Sequence, residues 1–310
     1  MINNNLKKGI LFAFLASVIS GIAIFYSKIS LVKIPPLILT TSRNFYVGVL
    51  FFILFLVSGR LAELKKLRKK QIIILTLIGI IGGALPFYLF FTGLQYIPAI
   101  NANLIQKTLF VWVTILAVIF LKERTTAAYF ISFAIIFVAN FYFGKLQLSL
   151  GKGELMILAA TLLWSVENIM AKKVLKNISS EMVGLFRMGI GGSLLMIVSL
   201  LSGKSGVFLT FDPSKLSVIF IGGTILFLYV YTWYKALKFA PVSLATLILT
   251  FAIVVGNILN GAFAGVKILP NDLYSSILIS GAIFLILSHS SLYRIYSRLW
   301  MRFKNHRLPE

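Results

Sequence analysis

Apolar runs of about 20 residues recur along the chain, broken by short joints that carry lysine, arginine, proline or glycine. The runs predict spans over 9–30, 37–58, 71–93, 99–121 and 126–143, then 153–173, 181–202, 215–237, 242–264 and 272–292. Each is long enough to cross ~30 Å of hydrocarbon as a helix, the element that satisfies its own backbone N–H and C=O groups in lipid. Pro98 and Pro241 each open a span, where a missing N–H leaves nothing unpaired. The first run, Gly9 to Ile29, is too long for the apolar core of a cleavable signal and is expected to stay. The expected fold class is all-α integral membrane, with ten transmembrane helices and almost nothing left for a soluble domain.

The two sets of five runs are related. Residues 9–59 laid on 153–203 without a gap match at 13 of 51 positions, where composition alone gives roughly four or five. The matches include Gly9 with Gly153, Ala16 with Ala160, Lys28 with Lys172, Arg43 with Arg187, Gly48 with Gly192, and Ser58-Gly59 with Ser202-Gly203. Further along, Tyr96-Ile97-Pro98-Ala99 stands opposite Phe239-Ala240-Pro241-Val242. Five is odd, so the second copy enters the membrane from the other side and the halves form two inverted five-helix repeats, the arrangement that lets a midplane site alternate between two faces. The expected organisation is a first repeat over 1–148, a second over 149–293 and a basic tail over 294–310.

Composition agrees with lipid as the main solvent: 59% of the 310 residues are hydrophobic and the mean hydropathy is +0.96. The formal charge of +22 could suggest nucleic acid, but its position argues otherwise. With the N-terminus inside, twenty lysines and arginines fall in inside segments and seven in outside joints. That is the positive-inside bias, so a multi-pass cell-membrane protein with both termini cytoplasmic is expected, with the lipid bilayer as partner and no nucleic acid. Cysteine is absent and the two histidines, His289 and His306, lie near the C-terminal end, so neither thiol chemistry nor a zinc site nor any cofactor is expected.

Span count, repeat, the prolines that lead the fourth and ninth spans, and the acidic residue after the fourth span in Lys122-Glu123-Arg124 together resemble the drug/metabolite transporter superfamily, in its ten-span type with two EamA-like repeats. The resemblance covers nearly the whole chain. Two departures stand out: Gly265-Val266-Lys267 occupies the place where the acid would recur, and the proline that the family often carries inside the fourth and ninth spans is missing around Thr108–Val111 and Thr250–Ile253. The resemblance implies an exporter or exchanger of amino acids or other metabolites, with a central cavity lined mainly by the third, fourth, eighth and ninth spans and parts of the first and sixth.

Ionisable residues inside spans cost at least ~2.5–3.5 kcal/mol on insertion scales and need a partner or a cavity. Glu167 and Arg187 flank Asn177 at equal distances in a helical hairpin, so they are expected at one depth as a buried ion pair or, alternatively, as a proton-coupling site. Arg43 stands at the repeat position of Arg187, near enough to the outer edge to snorkel. Lys107 lies about eight residues into the fourth span with no carboxylate within a turn, among Asn101, Asn103 and Gln106. It could meet a substrate carboxylate or phosphate, or snorkel. The expected substrate cavity comprises Lys107, Asn103, Gln106, Trp112, Tyr88, Trp164, Asn168, Tyr231 and Asn257; most spanning tyrosines and tryptophans could equally be packing or interfacial belt, and the asparagines interhelical bonds. Pro86, one turn after Gly82-Gly83, is expected to bend the third span, as hinge or packing kink.

The leading expectation is a secondary transporter, working as a monomer, that moves a small organic metabolite such as an amino acid by alternating access. A lipid scramblase or a non-transporting scaffold is the alternative. A membrane-embedded enzyme has least support, since no cluster of His, Cys or carboxylates stands ready for group transfer.

Overall fold

The computed structural model describes residues 4–97, 99–123, 125–142, 151–203, 211–263, 265 and 267–305. Side chains at Lys28, Ala99, Ile100, Asn103 and 289–305 lie outside the described ones. Among the described residues every regular element is helical. Nine helices among the described residues are long and apolar enough to cross a membrane: Asn4–Leu31, Pro36–Val57, Lys69–Gly93, Leu104–Leu121, Lys152–Val174, Ser180–Leu201, Pro213–Phe239, Val242–Phe263 and Pro270–Ser288. The fifth span, Ala127–Phe141, is a shorter apolar helix. A small helix over Leu61–Lys65, not expected from the sequence, sits in the joint before the third span, and the last helix runs on as Pro270–Asn305.

Local chemistry sets the ends. Pro36 and Pro213 lead their helices, and the side chains of Asp212 and Ser179 cap theirs by accepting from Lys215 N and Met182 N. The repeat is visible in the stops. Ser58 and Ser202 each donate to the carbonyl four residues back, and Gly59 and Gly203 follow with φ of 65° and 69°, the left-handed turn that ends a helix and suits glycine. The fourth and ninth spans also end on a left-handed residue, Lys122 at φ 53° and Gly265 at φ 62°.

Packing follows the inverted repeat. The second span packs on the seventh, the fourth on the ninth and the fifth on the tenth, each on its own counterpart. The remaining contacts come in exchanged pairs, such as first with eighth against third with sixth. Matched glycines make the close approaches. A Cβ on Gly9 would lie 2.6 Å from the Ala240 backbone, and one on Gly153 would lie 2.6 Å from Ile97, the residue equivalent to Ala240. Gly48 and Gly192 meet the backbones of Gly189 and Asn44–Phe45 where the second and seventh spans cross. Large apolar side chains such as Phe52, Phe130 and Phe284 face outward. Buried positions include Glu167, Arg187, Arg43 and Asn44, the inside-out polarity expected of a chain dissolved in lipid.

Among the described residues, three spans are not continuous α-helices. The third contains a π-helical stretch, Gly79–Ala84, immediately before Leu85-Pro86. The fourth breaks at Thr108, between Ala99–Lys107 and Leu109–Leu121, and the ninth breaks at Thr250-Phe251, between Val242–Leu249 and Ala252–Phe263. No proline is needed for the last two. Thr108 and Thr250 each turn a side-chain hydroxyl to the carbonyl three residues back, on Ile105 and Leu247, at 2.7 and 2.6 Å, and their backbone N–H groups bond to the same carbonyls. Such local hydroxyl bonds compete with the regular ladder and interrupt it.

Candidate functional site

Between the halves lies a cavity of about 220 Å³, room for roughly seven waters at ~30 Å³ each. Call the membrane face carrying the N-terminus the near side. The cavity reaches Leu31 and Leu94, at the far-side ends of the first and third spans. It descends to Thr246 and Trp233, within about 6–9 Å of helix from the near-side ends of the ninth and eighth. The breaks frame it: Lys107 and Leu109 flank the interruption of the fourth span, and Leu249 and Thr250 sit at that of the ninth. Discontinuous helices at mid-membrane are where transporters build binding sites, because interrupted backbone is tolerated only where protein or a cavity receives it.

The third span supplies the organising carbonyl. Pro86 has no N–H to donate to Gly82 O, four residues earlier, and the π stretch displaces the local ladder further. Gly82 O instead accepts from Trp164 Nε1 at 3.1 Å and Arg187 Nε at 3.3 Å, while Gly83 O accepts from Asn44 Nδ2 at 3.3 Å. Close contact makes this possible, since a Cβ on Gly83 would lie 2.0 Å from Arg187 O. The Pro86 region thus anchors the sixth and seventh spans to the third.

Arg187 Nη1 stands 4.0 Å from Glu167 Oε2, a loose contact at one depth in the hairpin. Glu167 Oε1 accepts from the Tyr234 hydroxyl at 2.6 Å, and the Arg187 guanidinium lies over the Tyr234 ring. Glu167 Oε2 and Arg187 Nη1 have no hydrogen-bond partner among the described residues. Arg43 donates to Ser27 Oγ at 2.9 Å, and its Nε is likewise unpartnered.

Of the residues singled out in the sequence, Lys107, Gln106, Trp164 and Asn168 line the cavity, and Arg187 and Arg43 line it too. The Asn103 side chain lies outside the described residues. Four others sit elsewhere. Tyr88 is exposed on the outer surface while its neighbour Phe87 lines the cavity, a consequence of the ~100° turn per residue. Tyr231 points away from the wall formed by Tyr229 and Trp233, and Lys235 lies over its ring. Trp112 donates to Thr108 Oγ1 beyond the helix break. Asn257 bonds to Asp272 O and Ser276 Oγ, joining the ninth span to the tenth. Sequence reasoning did not single out Ser27, Thr246, Thr250 or the phenylalanines Phe87, Phe90 and Phe91. A usable signal existed: Gly222, Leu226, Tyr229 and Trp233 follow a helical stripe on one face of the eighth span.

Below the cavity the near side is closed by polar contacts. Glu123 accepts from Val242 N, Ser243 N and Ser243 Oγ at 2.8, 3.1 and 2.6 Å, placing a carboxylate from the end of the fourth span on the N-terminus of the ninth. Lys172 donates to Leu237 O and Ala240 O at the C-terminus of the eighth, both at 2.6 Å. Glu181, at the start of the seventh, bridges Arg60 at 2.8 Å and Lys235 at 2.6 Å.

A family model described as the EamA-like transporter family matches residues 7–143 and again 151–288. The chain belongs to the EamA-like transporter family. Relatives within reach of sequence comparison carry matching names. An uncharacterized transporter of Bacillus subtilis, YoaV, is 27% identical over 56% of this chain and 60% of its own length. A second from that organism, YyaM, is 27% identical over 66% of this chain and 72% of its own. An uncharacterized transporter of Methanothermobacter thermautotrophicus is 22% identical over 61% of this chain and 60% of its own. The chain therefore spans about three-fifths to seven-tenths of the curated relatives it matches. One solved crystal structure superposes with a TM-score of 0.73 at 17% identity, covering 90% of this chain and 96% of that one, which shows the shared fold. As a member of this family the chain is a multi-pass membrane protein, and Glu123 directly follows the fourth span.

Proposed function

We propose that this EamA-like protein is a secondary transporter that carries a small organic metabolite across the cytoplasmic membrane by alternating access. The observation that carries the reading is the cavity itself: set between inverted halves, lined by Lys107, Arg43, Arg187, Gln106 and Asn168, and framed by the interrupted fourth and ninth spans. A scramblase would need a polar groove open to lipid along its length, whereas these polar groups converge on an interior space. An amino acid fits the volume. The lysine and arginine distribution supports a cytoplasmic near side, where Glu123 and Lys172 make the seal, and on that reading the cavity stands on the outward side of its cycle.

The test needs no ligand. In a chain that naturally lacks cysteine, cysteines are placed at Ser27 and Thr246, near the outer and inner ends of the cavity, and at Lys66 and Lys267 in joints of opposite side. An impermeant thiol reagent outside intact cells is expected to modify Ser27→Cys and Lys267→Cys, and the same reagent in inside-out vesicles Lys66→Cys and Thr246→Cys. Reactivity of both cavity positions from one face only overturns alternating access. Reversed labelling of the two joints overturns the orientation.

A further inference from the structure

The charge of the cavity wall points to a substrate class. Its lining includes three cationic side chains, Arg43, Lys107 and Arg187, and no carboxylate among the described residues. Arg187 has Glu167 4.0 Å away, behind the wall. Glu167 is fully buried and absent from the lining, with one oxygen held by the Tyr234 hydroxyl. Arg43 and Lys107 have no such compensation. Arg43 is 6% exposed and bonds only to the neutral Ser27 hydroxyl among the described residues, with Nε left over. Lys107 has no hydrogen bond or ion pair among the described residues; the C-terminal end of the short helix Ala99–Lys107 offers it only a partial negative charge. Two uncompensated cations in a membrane interior are costly, and they are expected where an anion visits.

The lining groups that could receive an ammonium are all neutral: the amide oxygens of Gln106 and Asn168 and a few hydroxyls. Asn168 Oδ1 accepts from Trp233 Nε1 at 2.9 Å. Ser27 Oγ accepts from Arg43, and the hydroxyls of Thr246 and Thr250 donate to carbonyls of their own helix, which leaves each oxygen only neutral lone pairs to offer a cation. The lining also carries an aromatic cluster, where Phe87 and Phe90 pack on Trp164 with ring centroids 5.3 and 5.7 Å apart. We propose that the cavity selects organic carboxylates over amines and neutral analogues, with Lys107 and Arg43 receiving the carboxylate and the Phe87–Phe90–Trp164 wall the apolar body. A zwitterion is accepted through its carboxylate, and its ammonium adds no affinity. This rests on the cavity being the transport site, and the two can fail separately, since the cysteine experiment above uses no substrate.

The test is binding to the purified full-length protein in nanodiscs, read by thermal shift and by tryptophan fluorescence, since Trp164 and Trp233 both line the cavity. The probes are benzoate, benzamide, benzylamine and phenylalanine, with chloride as the bare anion. Benzoate is expected to bind at least tenfold more tightly than benzamide or benzylamine and no more weakly than phenylalanine, and chloride at equal concentration not to displace it. Lys107→Gln, at a half-buried position, is expected to retain the fold and cut the benzoate preference to within about twofold, and Lys107→Arg to keep most of it. Arg43→Gln is expected to weaken benzoate similarly, where it folds. Benzylamine or benzamide binding as well as benzoate overturns the proposal, as do a preference that survives Lys107→Gln, full displacement by chloride, or silence toward every probe.

Discussion

The third and eighth spans hold equivalent places in the two repeats, yet they are built differently. In the register set by Tyr96 opposite Phe239, Gly82, Gly83 and Pro86 face Ile225, Leu226 and Tyr229. The third span carries a π stretch and gives two backbone carbonyls to other spans, whereas the eighth is one unbroken helix over Pro213–Phe239 that supplies Tyr229 and Trp233 to the wall and Tyr234 to Glu167. Other differences have the same flavour: Glu167 against Ala23, Glu123 against the second copy's Gly265-Val266-Lys267, Lys107 against Thr250. What the copies share, the paired glycines, the Ser-Gly stops and the threonine breaks, holds the scaffold. Where they part, side chains with charge or aromatic area line the cavity, stand behind its wall or build its seal. In an inverted repeat, symmetry builds the frame and departures from it mark candidate chemistry.

The largest effect expected from this contrast concerns the two arginines. Arg187 has a carboxylate beside it and Arg43, with Ala23 where Glu167 would be, has none. Removing one partner of a buried pair typically costs about 3–5 kcal/mol because the other charge is stranded. Glu167→Gln is therefore expected to lower the melting temperature sharply, and the Glu167→Gln, Arg187→Met double variant to recover part of the loss. Arg43→Met strands no charge and should cost much less than Arg187→Met. Equal losses at the two positions would show that the pair is not what distinguishes the halves. A Glu167→Gln protein of full stability that has lost pH-dependent transport would instead favour the proton-coupling reading.

Next in size is the near-side seal. Glu123→Gln exchanges charge-assisted bonds to the ninth span for neutral ones, and hydrogen bonds to charged groups are worth about 1.5–3 kcal/mol. A loss of that order on one conformation shifts the equilibrium roughly tenfold or more. In the cysteine-labelled protein, Thr246→Cys should gain reactivity from the inside while Ser27→Cys loses it from the outside. Unchanged reactivity at both would make Glu123 a helix cap with no part in the seal.

Much of this was legible in the sequence for a simple reason: run length reports spans, and hairpin arithmetic reports depth. The repeat alignment pairs Gly9 with Gly153 and Ser58-Gly59 with Ser202-Gly203, and those residues make equivalent contacts and stops. Rotation about each helix axis was harder to read. In lipid an apolar side chain suits the outer face as well as the core, so hydropathy does not say which way Tyr88 or Tyr231 points; Phe87 and Tyr229, one and two residues away, line the cavity instead. The breaks at Thr108 and Thr250 were also hidden, because a hydroxyl bond to the preceding turn competes with the ladder in a way that only the packed structure decides.

Those two threonines give the smallest and most discriminating prediction. They occupy matching breaks and make the same bond to the carbonyl three residues back, but Thr108 Oγ1 also accepts from Trp112 Nε1 at 3.0 Å, and only Thr250 lines the cavity. Valine keeps the shape and removes the hydroxyl. Thr108→Val leaves the indole N–H without its partner and should destabilise by about 1–2 kcal/mol, against ~0.5–1 kcal/mol for Thr250→Val. Function should sort the other way: Thr250→Val is expected to alter apparent affinity in proteoliposome uptake by a few-fold, and Thr108→Val to leave it near wild type. Equal effects on uptake would mean that the breaks act only as hinges, whereas an effect at Thr250 alone would tie the ninth-span break to the bound solute.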